Sequence, residues 1–267
     1  MTVGTSALRG PAPMCHLSHS ARWFEHAGGR TEPALRLFTF PYAGGSCLAY
    51  SHWRGAFPEQ VGVSAVQLPG RGSRISEEPF CRLDAVVDAL CGEILPYLDR
   101  PFAFFGHSMG GLIAYELACR LRQERLGEPS LLMVSGTRPP HLRWSPATYD
   151  LPDDEFIETL RQLNGMPDEI LCNPDAMELL LPVLRADFEV CQTRECVERP
   201  PLHCPIVAFC GDADEHAGSS TLQQWRRYTG TRFELHLIPG DHFFIRSHEL
   251  DLLPLVREHL MSLLQPA

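Results

Sequence analysis

The sequence predicts an α/β fold, a mostly parallel central sheet flanked by helices, with a helical lid inserted in the second half of the chain. Three observations carry that expectation. Short β-branched and aromatic runs alternate with helical periodicity. A stretch at about 152–196 is helical in pattern throughout. The run Gly106-His107-Ser108-Met109-Gly110 stands between one short apolar strand and one helix. At 267 residues, 44% hydrophobic and 21% charged, the chain can bury one large core rather than remain disordered.

Taken in order, residues 1–31 read as a partly disordered lead-in without the apolar stretch of a secretory signal. Residues 32–267 then read as a single domain. Leu35–Phe40 is a strand ended by Pro41, and Val63–Leu68 is a second, stopped by Pro69-Gly70. Leu83, Val86, Val87, Leu90, Ile94 and Leu98 recur at three- and four-residue steps and predict a helix. Phe102–Phe105 is a short buried strand, followed by a helix from about Met109 to Glu124. Leu131–Ser135, Ile206–Cys210 and Phe233–Ile238 are further strands, and a last helix runs from about His248 to Leu264. Strands separated by helices need right-handed crossovers and hence a parallel sheet, whose chemistry gathers at the C-terminal strand ends. The rhythm breaks only at about 152–196, where Phe156–Leu163 and Met177–Phe188 carry helical patterns around Gly165-Met166-Pro167. An insertion of that kind predicts a lid over a substrate chamber.

Composition removes several function classes. A net charge of −10 with no basic stripe argues against nucleic-acid binding. No apolar run approaches the roughly 20 residues that cross a bilayer. The ten cysteines are scattered and never spaced C-x-x-C, which predicts reduced thiols in a cytoplasmic protein rather than bridges or a zinc site.

The chemistry centres on Ser108. A G-x-S-x-G run recurs by chance, but one that follows a strand and opens a helix has the context of a nucleophile elbow. There the serine oxygen projects at a helix N-terminus, where free amides favour developing negative charge. A serine hydroxyl needs a base. His242, four residues past the last strand, is the expected one. His236 and His248 read as structural or exposed, and His107 as packing under the turn. The acid that orients the base should follow the preceding strand, and Gly211-Asp212-Ala213-Asp214 offers two; spacing leaves Asp212 and Asp214 even. One oxyanion amide should be that of Met109, and the other should come from the small-residue loop Pro41-Tyr42-Ala43-Gly44-Gly45-Ser46.

Further segments are more specific. Phe40-Pro41-Tyr42-Ala43-Gly44-Gly45-Ser46 with Tyr50 and Trp53, Gln67-Leu68-Pro69-Gly70-Arg71 with Arg74, Phe105 to Gly111, Leu181-Pro182-x-Leu184-Arg185-Ala186-Asp187, Gly211-Asp212-x-Asp214 and Pro239-x-x-His242-Phe243-Phe244 occur in that order. In these the chain resembles the type II (editing) thioesterases of polyketide synthase and nonribosomal peptide synthetase pathways, of the α/β-hydrolase superfamily. The resemblance implies Asp214 as the acid of a Ser108–His242–Asp214 triad, and Ala43 and Met109 as the oxyanion amides. It implies hydrolysis of stalled or mis-primed acyl groups from phosphopantetheine on an acyl or peptidyl carrier protein. No separate cofactor and no metal are implied, and a monomer is expected. Two positions depart from the family pattern: Glu215 replaces a usual proline, and Gly240-Asp241-His242 replaces Gly-Gly-His. Acidic carrier proteins would need local cations, for which Arg71, Arg74, Arg138 and Arg143 are candidates. The catalytic residues alone also fit an oxyester hydrolase or an acyltransferase, and the family segments alone would fit a non-catalytic carrier-binding module.

Overall fold

A computed structural model describes residues 23–26, 32–144 and 146–265. Most of the expected lead-in, including Cys15, lies outside the described residues. The strands are β1 (Phe24–His26), β2 (Leu35–Phe40), β3 (Val61–Val66), β4 (Phe102–His107), β5 (Leu131–Ser135), β6 (Ile206–Gly211) and β7 (Phe233–Ile238). The helices are α1 (Leu83–Ile94), α2 (Met109–Gln123), α3 (Asp153–Gln162), α4 (Asp168–Leu171), α5 (Pro174–Gln192), α6 (Ser219–Leu222), α7 (Phe244–Ser247) and α8 (Glu249–Ser262). Each expected strand and helix is present, with ends moved by a few residues. The strand β1 was not expected, because it falls within the predicted lead-in; it pairs antiparallel with β3 through Phe24 and Val66.

The seven strands run in the order β1-β3-β2-β4-β5-β6-β7, and every pair except β1–β3 is parallel. After β3 the chain crosses back over β2 to place β4 on its other side. The loops leaving β2 and β4 therefore diverge, opening the crevice in which α/β sheets bind ligands. The register aligns the strand ends: Phe40 pairs with Gly106, His107 with Ser135, and Gly211 with Ile238.

Both sheet faces are covered. On one, Phe38, Phe104 and Leu132 pack against Leu90, Ile113 and Leu117 of α1 and α2. On the other, Leu37, Phe105 and Phe209 pack with Trp53, Leu252 and Val256. Each such fully buried side chain contributes roughly 1.5–3 kcal/mol through removal of apolar surface from water. The lid helices α3–α5 carry a small core of their own, Phe156, Leu160, Leu171, Met177 and Leu184. All nine described cysteines are free thiols, five of them buried. Among the described residues no helix is long and apolar enough to cross a membrane.

Candidate active site

The chain turns from β4 into α2 through a single residue. Ser108 has φ 53° and ψ −116°, a conformation that costs a non-glycine residue of order 1–3 kcal/mol. It is held there from both sides. Its N–H donates to the Ser135 carbonyl at 2.8 Å, and its own carbonyl accepts from Gly111 N at 3.1 Å and Thr137 Oγ1 at 3.0 Å. The turn closes on itself so tightly that a Cβ at Gly106 would lie 2.2 Å from the Gly110 carbonyl, and one at Gly110 would lie 2.0 Å from the Phe40 carbonyl oxygen. Only glycine fits at either position, which is why the motif is spaced as it is.

The strand ends bring the distant residues to Ser108. His242 Nε2 lies 3.1 Å from Ser108 Oγ, and His242 Nδ1 lies 2.8 Å from Asp214 Oδ2. An ionised carboxylate only accepts, so Nδ1 carries the proton and Nε2 presents its lone pair to the serine hydroxyl. The other carboxylate oxygen of Asp214 accepts from the amides of His216 at 2.8 Å and Ala217 at 2.9 Å. Burial alone would raise the Asp214 pKa, but the His242 hydrogen bond and charge and these two amides together hold it below the ordinary value. Asp212, the other candidate, is exposed and accepts from Gly240 N at 2.9 Å, closing the turn that leads to His242. Glu215 is exposed. His107 lies fully buried beneath the turn, its Nδ1 2.9 Å from Ser135 Oγ; burial, reinforced by the nearby His242, keeps it neutral.

The loop after β2 faces the same point. Ala43 lines one cavity with Ser108 and His242. The amides that follow are engaged elsewhere: Gly44 N–H donates to Asp187 Oδ2 at 2.7 Å and Gly45 N–H to the Tyr42 carbonyl at 2.8 Å. Met109 is the first residue of α2, so its N–H belongs to the unpaired set at every helix start.

The two most specific sequence segments meet behind this loop. Arg71 forms a two-pronged ion pair with Asp187, Nη1–Oδ2 2.6 Å and Nη2–Oδ1 2.8 Å, and both side chains are buried. Gln67 Oε1 accepts from Cys47 N at 3.1 Å, and its Nε2 donates to the Arg71 carbonyl at 2.6 Å. In α5, Arg185 turns the other way and donates to the Tyr149 carbonyl at 2.6 Å and to Asp153. This overturns the expectation that Arg71 and Arg74 are docking cations. Arg71 is consumed by Asp187, and Arg74 is buried between Glu77 and the Trp23 ring, its guanidinium carbon 4.1 Å from the ring centre. Arg138 is half-buried over Trp144, and Arg143 alone of the four is exposed. The role of Asp187 went unread because its partner lies 116 residues away.

Above Ser108 the cavity is walled by Trp144, Leu160, Leu163, Met166, Leu184 and Phe188. All are apolar, and all but Trp144 belong to the lid stretch. Cys191 also lines it, but burial pushes that thiol up to about 12, so it stays protonated and does not compete with Ser108 as a nucleophile. Asp241 joins lid to base loop. Its carboxylate accepts from Asn164 Nδ2 at 2.7 Å and from Phe243 N at 2.8 Å. One exposed hydrogen bond of this type is worth roughly 0.5–1.5 kcal/mol. Asp241→Gly is therefore expected to speed tryptic cleavage of the native protein after Arg161 roughly two- to tenfold; an unchanged cleavage rate would remove Asp241 as a lid latch.

The chain is also similar to known proteins. Residues 35–260 match the thioesterase domain family. The chain is 39% identical to the gramicidin S biosynthesis protein GrsT of Aneurinibacillus migulanus over 95% of this chain and 99% of that one. Among solved structures it resembles the RedJ thioesterase of the prodiginine pathway of Streptomyces coelicolor, with 38% identity, TM-score 0.80, and 86% and 94% of the two chains covered. It also resembles the type II thioesterase BorB of the borrelidin cluster, with 31% identity, TM-score 0.82, and 91% and 99% covered. A match across nearly the whole sheet and lid places this chain in the thioesterase domain family, hydrolases that act on thioesters.

Proposed function

We propose that this chain is an editing thioesterase of a nonribosomal peptide or polyketide pathway, releasing stalled or mis-primed acyl groups from the phosphopantetheine thiol of a cytoplasmic carrier protein. The observation that carries the reading is the chain of contacts Ser108–His242–Asp214 beneath an apolar, lid-roofed cavity, in a protein 91% of which matches the type II thioesterase BorB.

In this reading His242 Nε2 takes the Ser108 proton as Oγ attacks the thioester carbonyl carbon. The amides of Ala43 and Met109 hold the oxyanion, where charge develops in a site shielded from water. The carbon–sulfur bond breaks, His242 returns the proton to the departing thiolate, and the acyl group remains on Ser108. Water, deprotonated by the same imidazole, attacks the acyl-serine; the acid leaves and Ser108 regains its proton. Asp214, held by two amides, fixes the imidazole tautomer and steadies the imidazolium formed in each step. No separate cofactor enters, because the pantetheine arrives with the substrate. The apolar wall selects for an acyl chain rather than a charged group.

Intact-protein mass spectrometry of an acylated carrier protein tests the reading. Wild-type enzyme is expected to remove the acyl mass and leave the holo-carrier, while the matching oxyester is cut at least tenfold more slowly. Unchanged acyl occupancy would refute carrier editing, and faster oxyester cleavage would move the chain to the ester hydrolases.

A further inference from the structure

Away from the lid, at the outer edge of the sheet, two elements converge three potential ligand atoms. Glu234 and His236 lie two residues apart on β7, so the strand period places both side chains on one face. His259 reaches the same point from α8. We infer that Glu234, His236 and His259 form a binding site for one divalent transition-type cation, with Zn2+ the best match to two imidazoles and a carboxylate.

Geometry is the main support. His236 Nε2 and His259 Nε2 are 2.9 Å apart, and Glu234 Oε2 lies 3.6 Å from the first and 3.7 Å from the second. Ligands 2.0–2.2 Å from a tetrahedral ion stand about 3.3–3.6 Å from one another. The two carboxylate edges are close to that spacing, and the imidazole nitrogens, drawn to 2.9 Å by their shared hydrogen bond, must part by a few tenths of an ångström to admit the ion. The carboxylate distances are too long for hydrogen bonds, yet Oε2 is almost equidistant from both nitrogens. Arg232 Nε, 3.0 Å from Oε1, orients the carboxylate so that Oε2 faces them. The imidazoles are held in place: His236 stacks on Phe209 with ring centres 5.5 Å apart, and His259 is buried. Glu234 and His236 are part-exposed, leaving a solvent side for entry and for a fourth, water ligand. Without metal, the two imidazoles share a hydrogen bond, one donating and one accepting. With it, α8 is clipped to the edge strand whose end leads into the His242 turn.

The test uses tag-free protein stripped with a chelator, then titrated with Co2+ followed by Zn2+. One equivalent of Co2+ is expected to give the visible absorption of a tetrahedral site without a thiolate charge-transfer band, and Zn2+ is expected to displace it. At metal a hundred times above Kd, Tm should rise by about 5–10 °C. His236→Gln and His259→Gln, made separately, should each weaken binding about a hundredfold or more, and Glu234→Gln by a smaller factor. Failure to bind Co2+, a thiolate band pointing to the cysteines, or undiminished binding by a folded histidine variant would each overturn the site. None of these readouts depends on the thioesterase reaction.

Discussion

Ser108→Ala is expected to lower thioester turnover by about 10⁴-fold or more, roughly 5 kcal/mol of transition-state stabilisation, while leaving Tm within a few degrees. The asymmetry follows from the contacts. Among the described residues the only hydrogen-bond partner of Ser108 Oγ is His242 Nε2, whereas the backbone contacts that hold the strained turn are made by N–H and carbonyl groups that alanine retains. The remaining activity would come from the amides and the cavity, which bind the substrate without a nucleophile. Steady-state kinetics on a carrier-bound or pantetheine thioester, with Tm of the same preparation, decide it. Turnover within tenfold of wild type would displace Ser108 as nucleophile.

Breaking the Arg71–Asp187 ion pair behind the loop that follows β2 should produce the second large effect, of a different kind. Asp187→Ala leaves the Arg71 guanidinium buried without its carboxylate and the Gly44 N–H without its acceptor. Removing one partner of such a pair destabilises by about 3–5 kcal/mol, a large part of the ~5–15 kcal/mol total of a typical domain. Tm is expected to fall by about 6–20 °C. The double variant Arg71→Met with Asp187→Leu removes both charges together and should recover most of that loss. It should not recover kcat, since the Gly44 amide is no longer tethered and the adjacent Ala43 amide drifts; a fall of about 10- to 100-fold is expected. If the double variant regains both Tm and kcat, the pair acts on stability alone. Melting curves and kcat for wild type, the single variant and the double variant separate the two outcomes.

That pair also shows where reading the chain by itself runs out. Alternation of apolar runs with helical periodicity is local, so the strands of the parallel sheet and the all-helical stretch at 152–196 are legible in the sequence itself. The same holds for Gly106 and Gly110, because a strand–turn–helix with glycines two residues either side of a serine has few other uses. His242 was legible from its place after the last strand. In contrast, Arg71 and Arg74 looked like surface cations, since a charged residue in a loop is usually solvated. They are buried because Asp187, Glu77 and Trp23 approach them, and two of those three come from distant parts of the chain. The strand Phe24–His26 was missed because three residues carry too little periodicity to register, and its edge exists only once β3 lies beside it.

Sequence alone determined the order of elements, the turn at Ser108 and the candidates on the loops after each strand, because those depend on spacing and on side-chain size along one chain. The tertiary structure decided which candidates meet. Asp214 and not Asp212 faces His242, because two amides hold its carboxylate inward while Asp212 closes the Gly240 turn in solvent. Asp241 reaches the lid, and Asp187 joins the lid to the loop carrying Ala43. Such contacts depend on distances of a few ångströms between groups far apart in the chain, and only folding the sheet and seating the lid over it sets those distances.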